Sequence, residues 1–341
     1  MDQKTTIYDI AKKLGITAAT VSRAMNNNPK ISESTRKLVL ETAAKMNYKQ
    51  NRLAQSLRSG KSNNVGVIVP RIDSNFFGSV IRGIEEELHP EGYHVIICQT
   101  HEDENRQIEN ISTLLNAQVD GILMSISNVS KENDHFIKNV VDKKVPLIFF
   151  DRKKAMKGVS SVTINDFEAG YLATKNLIEQ GCQRIAHLTG DQSIEIFEHR
   201  NNGFKSAILD SGLVLNEDYV FQTKSRVEAG RLAVAKLLSL DPPPDGIFSS
   251  SDFAALGAIQ ELRERGIKIP EEVCVFGFGN EPFTAFMELS ISSVDQSPLE
   301  MGKMAAKVFL EQINNTDKVK IEKNVVLIPE LKIRKSSSRN L

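Results

Sequence analysis

Apolar side chains recur at helical spacing in the first part of the chain and as short unbroken runs after residue 64, which divides it into an all-helical head and an α/β body. In the head, Ile7, Ile10, Ala11 and Leu14 share one helical face, with Thr6 and Asp9 at capping-box spacing before them and Gly15 as the stop. Residues 17–26 repeat the pattern from Thr17, a natural N-cap, and bury only Val21, Ala24 and Met25. Thr17, Ala18, Thr20, Ser22, Arg23 and Asn26 are left facing outward, a small, polar and cationic surface. Ser32 opens a third helix whose Leu38, Val39, Ala43 and Met46 close a small core, with Tyr48 over it.

Two short helices joined by a tight glycine turn predict a helix-turn-helix, in which the second helix enters the major groove of DNA N-terminus first. Arg23 is then placed to read a guanine edge through a paired contact, while Ala18 and Ala19 permit close approach and offer methyl contacts. Charge points the same way. Residues 1–61 hold twelve Lys and Arg against four Asp and Glu, a net +8, and because the whole chain is neutral the remainder carries −8. Such an excess supplies phosphate attraction that weakens steeply with salt. The plain alternative is a solvated three-helix cap with no ligand.

Residues 51–58 spell one more short helix, with Leu53 and Leu57 at i, i+4 spacing, too short to be stable alone in water. Gly60-Lys61-Ser62 is no phosphate-binding loop, since position 55, where that signature needs glycine, is Gln. Residues 59–64 read instead as a flexible polar join.

In the body, apolar runs at 65–69, 95–98, 121–124 and 145–150 alternate with helical patterns at 76–88, 105–117 and 134–142, the mark of a doubly wound parallel sheet. A second set follows, with strands at 184–188, 219–222, 246–248 and 273–276 and helices near 168–179, 200–209, 227–238 and 252–265. Ser297-Pro298-Leu299-Glu300 reads as a capping box opening a helix to 314, residues 325–328 as a last strand, and 335–341 as a loose tail without coiled-coil heptads. The expected organisation is a head at 1–49, a hinge helix and linker at 50–63, a two-lobed α/β domain at 64–335 and a tail at 336–341. Within the two-lobed domain, 64–164 and 295–320 form the N-lobe, and 165–294 and 321–335 the C-lobe.

No apolar run is long enough to span a bilayer, and the first residues lack a signal-peptide core, so a cytoplasmic location without membrane attachment is expected. Cys98, Cys182 and Cys274 then read as reduced, buried thiols.

Thr6-Ile-Tyr-Asp-Ile-Ala, Thr20-Val-Ser-Arg-Ala-Met-Asn, Tyr48, Ala54-Gln-Ser-Leu57 and Val65-Gly-Val-Ile-Val-Pro70 together resemble the lactose and galactose repressor family, in order through nearly the whole chain. Gln50 and Gln55 depart from it, standing where the family usually has proline and arginine. The resemblance implies a type I periplasmic-binding-protein-like sensor and DNA contacts from Thr6, Thr17, Ala18, Ala19, Thr20, Ser22, Arg23 and Asn26. It also implies a hinge helix presenting Asn51, Ala54 and Leu57, with Leu57 wedged into the minor groove. From the residues alone a plain linker leucine is the alternative reading of Leu57.

Ligands in such sheets lie beyond the carboxyl ends of the strands. Those loops supply Asp73, Phe76, Phe77, Ser125, Asp151, Arg200, Ser251, Asp252, Gly279 and Gln296 as candidate effector contacts. Asn75, Arg152, Asn280, Glu281 and Asp295 lie in the same loops. Amides, carboxylates and one guanidinium around Phe rings suit a small hydroxylated ligand, a sugar or sugar derivative. The resemblance makes Asp151, Arg200 and position 279 ligand contacts; Gly279 replaces the family's usual aspartate and removes one acceptor. Local explanations compete: Asp252 as an N-cap, Asp73 as a turn former, Phe76 and Phe77 as core. Arg200 is read as starting a helix, where a cation opposes the dipole, and so has the weakest local explanation.

Enzymatic chemistry is not organised anywhere. There is no nucleophile elbow, Gly277-Phe-Gly279 lacks a dinucleotide loop's third glycine, and the six histidines are scattered without metal-ligand spacing, so neither cofactor nor metal is expected. His101-Glu102-Asp103-Glu104 reads as a solvated acidic loop. The expected function is a homodimeric, effector-responsive repressor on a pseudo-palindromic double-stranded operator. The alternative is a solute-binding protein that delivers its ligand to a transporter.

Overall fold

A computed structural model describes residues 5–48, 60–127, 133–315 and 322–339. It separates into two compact units, Met1–Ser62 and Asn63–Leu341.

The first unit holds α1 (Ile7–Leu14), α2 (Ala18–Met25) and α3 (Glu33–Lys45). Helix α1 begins where the Thr6 backbone N–H and hydroxyl both donate to the Asp9 carboxylate, at 2.8 and 2.7 Å. It ends at Gly15, whose φ of +65° a side chain would resist. Thr17 caps α2 by accepting the Thr20 N–H at 3.1 Å, and Ser32 caps α3 by accepting from Thr35. Ile10, Ala11, Val21, Ala24, Val39 and Ala43 form the buried core, with Met46 and Tyr48 packed against it. Leu38, expected there, is 52% exposed. One residue before Val39, it is turned about 100° around the helix from that buried side chain and so faces away from the core. Asn51, Ala54 and Leu57, the expected hinge positions, lie outside the described residues.

The second unit contains two six-stranded sheets of the same design. One uses β1 (Asn64–Val69), β2 (His94–Gln99), β3 (Gly121–Met124), β4 (Leu147–Phe150), β5 (Ser160–Ile164) and, near the C-terminus, β11 (Asn324–Leu327), in the order β11-β5-β4-β3-β1-β2. All its pairings are parallel. The other uses β6 (Ile185–Thr189), β7 (Val220–Gln222), β8 (Gly246–Ser249), β9 (Cys274–Phe278), β10 (Ser292–Asp295) and β12 (Glu330–Lys332), in the order β12-β10-β9-β8-β6-β7. Only β12 runs antiparallel. Helices α4 (Asn75–Leu88), α5 (Glu104–Asn116), α6 (Asp134–Asp142) and α12 (Pro298–Asn314) serve the N-lobe sheet. Helices α7 (Asp166–Glu179), α8 (Glu195–Asp210), α9 (Val227–Leu237), α10 (Asp252–Glu264) and the short α11 (Phe283–Phe286) serve the C-lobe.

Strands β5 and β10 are absent from the hydrophobic pattern because serines occupy them. Ser160, Ser292 and Ser293 are wholly buried, and hydroxyl bonds make that tolerable: Ser293 donates to Asp252 at 2.7 Å and Ser292 to the Arg334 carbonyl at 3.0 Å. The expected capping box at the start of α12 is not formed. Ser297 sits at φ +49° with its N–H given to Asp295, so its hydroxyl is turned away from the helix, while Pro298 does occupy the first turn.

Two expectations about the C-terminus are corrected. The strand at 324–327 pairs with β5 and so belongs to the N-lobe sheet, because its Asn324–Leu327 edge fits the open side of Ser161–Ile164. Residues 336–339 are no loose tail: Ser336, Ser337 and Ser338 are buried, and Ser336 bonds Val275 and Ser292. Arg339 donates to the carbonyls of Gln180 and Pro270. A polar terminus can be buried where backbone groups of two loops need partners.

Helices α7 and α8 touch backbone to backbone. A Cβ on Gly170 would overlap the Arg200 carbonyl, and one on Gly203 the Phe167 carbonyl, so both positions require glycine for the approach. That approach sets Arg200 beside the first residue of α7.

Candidate effector site and DNA-reading face

The loops at the carboxyl ends of both sheets enclose a cavity of 340 Å³ in the second unit. Its walls include Asp73, Phe76, Phe77, Asp151, Arg200, Ser251, Gly279 and Gln296, eight of the ten expected residues. Asn75, Arg152 and Glu281 from the same loops also reach it, whereas Asn280 and Asp295 do not.

Asp151 follows β4 at φ +62°, a left-handed conformation uncommon for a side-chain-bearing residue, which turns its carboxylate back over the sheet end. Ser125 stands behind it and donates to Oδ2 at 2.9 Å, so it positions Asp151 and does not line the cavity. Burial raises the Asp151 carboxyl above its ordinary range, opposed by Arg152 and the Ser125 hydroxyl. Phe76 and Phe77 meet edge to face at 5.0 Å and belong both to the core and to the cavity wall. Asp73 and Arg71 form a paired contact, both distances 2.9 Å, at the exposed mouth.

Arg200 lies in the second turn of α8, which begins at Glu195, and not at the helix start expected for it. Its Nε donates to Asp166 at 2.7 Å, and its guanidinium stacks 3.6 Å from the centroid of the Phe278 ring. Gln296 stands 3.4 Å from another guanidinium nitrogen. Burial pushes the Asp166 carboxyl up to about 6, with Arg200 working against that shift. A rigid, stacked guanidinium of this kind offers its remaining N–H groups in a fixed direction.

Asp252 is buried outside the cavity wall. Ser293 and the Glu281 N–H both donate to it, at 2.7 and 2.8 Å, so it clamps the 279–281 loop. The N-cap position of α10 belongs to Ser251. Burial pushes Asp252 up to about 7, opposed by those two donors. Ser250, also in the cavity wall, is set by a relay behind it: Asn201 accepts from His187 Nδ1 at 3.1 Å, leaving Nε2 to accept the Ser250 hydroxyl at 2.9 Å. Ser250 therefore presents lone pairs, not its proton, to the cavity. Burial holds His187 down at about 3, with Asn201 opposing, so it stays neutral.

Several contributors escaped the sequence reading. Asp166 follows β5, a strand hidden by its serines; Phe278 sits in the Gly-Phe-Gly run dismissed as a failed nucleotide loop. Glu102, assigned to a solvated acidic loop, accepts from Arg152 at 2.7 Å and lines the cavity, while Asp103 caps α5. Phe197 and Phe253 are recognisable as wall residues only once the loops are assembled. Among the described residues, no group of His, Cys, Asp or Glu could hold a metal ion, and no helix is long and apolar enough to cross a membrane.

In the head unit, Thr17, Ala19, Arg23 and Asn26 are exposed on α2, and Ala18, Thr20 and Ser22 are half-buried, Ala18 packing partly on the core. Asn26 folds its amide back onto the Ser22 carbonyl at 2.8 Å. Thr6 has both its donors committed to Asp9. Arg36 ties α3 to the turn after α2 through the Asn28 carbonyl at 3.1 Å, steadying the presented helix.

Residues 62–336 match the model described as "periplasmic binding proteins and sugar binding domain of LacI family", and residues 6–51 that of "bacterial regulatory proteins, lacI family". The HTH-type transcriptional regulator DegA of Bacillus subtilis is 32% identical over 98% of both chains. A complex of the transcriptional regulator CelR with cellobiose is 25% identical, with a TM-score of 0.73 over 98% of this chain and 100% of that one. A LacI family regulator from Enterococcus faecium with bound ribose is 29% identical, with a TM-score of 0.72 over 81% and 98%. These relatives are transcriptional regulators by name, and DegA and CelR match this chain over both its head and its α/β unit. The chain belongs to the LacI family of bacterial regulatory proteins.

Proposed function

We propose that this protein is an effector-responsive repressor that binds a pseudo-palindromic DNA operator as a homodimer, with a sugar or sugar derivative as its effector. Helix α2 enters the major groove, where Arg23 reads a guanine and Thr17, Ala18, Ala19, Thr20, Ser22 and Asn26 meet neighbouring bases and phosphates. Thr6 contributes at the backbone by exchanging one of its two bonds to Asp9 for a phosphate oxygen, and Asn51, Ala54 and Leu57 act in the minor groove.

The observation that carries the effector reading is the lining of the 340 Å³ cavity. Carboxylates, an immobilised guanidinium and an acceptor serine surround the rings of Phe76, Phe278 and Phe253. Apolar ring faces take the C–H face of a sugar while directional polar groups take its hydroxyls. The relatives crystallised with cellobiose and ribose support that class. The match of residues 6–51 to a regulatory head favours this reading over a transport-delivery protein. Effector binding changes the angle between the lobes and thereby the spacing of the paired hinge segments, and its differential affinity for the two states sets the response.

The test is a thermal-shift screen of sugars against the purified chain, followed by mobility-shift assays on duplexes selected from a random pool. A sugar that raises the melting temperature and alters retention of a selected, salt-sensitive duplex is expected. No selected sequence at any salt concentration would defeat the reading.

A further inference from the structure

A second cavity, of 440 Å³, adjoins the first and shares Asp151, Arg152 and Ile196 with it. It lies toward the crossover at Asn165, where the chain leaves the N-lobe sheet for α7, and adds Lys153, Lys154, Asp166, Glu195 and His199.

The two cavities differ in how their cations are engaged. In the first, every guanidinium already has a carboxylate: Arg71 with Asp73, Arg152 with Glu102, Arg200 with Asp166. In the second, Lys154 is paired with Asp134, and His199 lies 3.9 Å from Glu195. Lys153 makes neither a hydrogen bond nor an ion pair among the described residues. Arg152 is 12% exposed, and its Nε is buried without any hydrogen-bond partner; the Asp151 carboxylate forms an ion pair with it at 3.8 Å, too long for a hydrogen bond. A buried guanidinium N–H without an acceptor, next in the chain to an ammonium without a counter-charge, is a place that an additional anionic acceptor can fill. Of the carboxylates on this side, Asp166 is matched by Arg200 and Glu195 is half-exposed. Asp151, whose carboxyl burial raises above its ordinary range, lies against Arg152 and accepts from Ser125 at 2.9 Å.

We propose that the effector is an anionic sugar, a phosphate ester or a carboxylate, whose charged group occupies this second cavity against Lys153 and the Arg152 guanidinium while its hydroxylated part fills the first. The proposal rests on the sugar reading above and narrows it to one chemical class. Both cavities then serve one ligand, and the charged group sits beside the crossover that joins β5 to α7.

The experiment titrates the full chain by calorimetry with matched sets: neutral hexoses, their 6-phosphates and the corresponding uronic acids, with inorganic phosphate alone as a further probe. The tightest ligand should be a phosphate or a uronate that binds at least about tenfold better than its neutral counterpart. Comparing the two anionic arms identifies which acid group is taken. Lys153→Met should shrink that preference to within about threefold while leaving neutral-sugar affinity unchanged, and Lys153→Arg should restore it. Because Lys153 is only half-buried, both variants should fold. Neutral sugars binding as well as their anionic partners, or Lys153→Met weakening both equally, would overturn the anionic subsite and leave the sugar reading standing. If no sugar of any charge binds, the sugar reading falls and this inference with it.

Discussion

Arg200 and Asp166 are joined across the α7–α8 contact by a 2.7 Å bond from Nε to Oδ1, with both side chains almost wholly buried. The pair is possible because Gly170 and Gly203 let the two helices approach until Arg200 stands over the start of α7. Arg200 thereby gains a fixed orientation toward the cavity, and Asp166 a counter-charge without which burial would be costly.

Removing one partner should therefore cost more than removing both charges. Arg200→Ala is expected to destabilise the chain by about 3–5 kcal/mol, and Arg200→Ala with Asp166→Asn to recover a large part of that loss. Urea denaturation of the two variants checks this, and equal stabilities would mean that an unpaired Asp166 carries no penalty. If the unliganded form is the DNA-competent one, Arg200→Ala should also abolish the effector response and spare operator binding.

The helix contact can be tested separately. Gly203→Ala places a methyl group against the Phe167 carbonyl and should destabilise by about 1–3 kcal/mol, with weakened effector affinity as Arg200 shifts. Gly78→Ala on α4, where a Cβ meets nothing, should instead be neutral or stabilising by up to about 1 kcal/mol. Similar melting temperatures for the two variants would count against a requirement for backbone contact.

Asp252 predicts a pH dependence. Its folded value of about 7 lies above the ordinary 3.8, so between those values the folded chain holds a proton that the unfolded chain releases. Its contribution is greatest below pH 4 and is lost as pH rises through about 7; Asp166, raised to about 6, acts in the same sense. Asp252→Asn cannot lose that proton. The melting temperature of the wild type relative to Asp252→Asn should fall between pH 5 and 8, whereas a constant difference would contradict the assignment.

His187 gives the opposite trend. With its value held near 3 against an ordinary 6.5, its contribution is present above pH 6.5 and is lost as pH falls toward 3. One imidazole should show no titration between pH 5 and 8 by NMR, and that signal should vanish in His187→Phe. The same variant leaves Asn201 and Ser250 without their partner and should cost about 1–3 kcal/mol.

Arg23 is exposed on α2 and, in the proposed role, contacts a base. Arg23→Ala should relax discrimination at one operator position by about 1–3 kcal/mol. Affinity that drops equally for all sequences would reassign Arg23 to phosphate. Leu57→Ala should reduce operator bending before it abolishes binding, and normal bending would exclude the wedge.

The sequence by itself determined the helices of the head, the repeated alternation of strand and helix, and most of the loops around the cavity, because buried parallel strands must be apolar runs and their ends must hold ligands. Eight of ten expected residues line the wall for that reason. Only the tertiary structure decided what depends on polar groups matched at a distance. Buried serines are satisfied by partners many residues away, so β5 and β10 have no local signature, and Asp166 at the end of β5 had none either. Residues 336–339 look like a loose end until the backbones of β9 and the neighbouring loops supply their partners. Asp252 was legible as a helix start, but its hold on the 279–281 loop follows from Ser293 lying next to it in space, and hydrophobic spacing carries no record of such pairings.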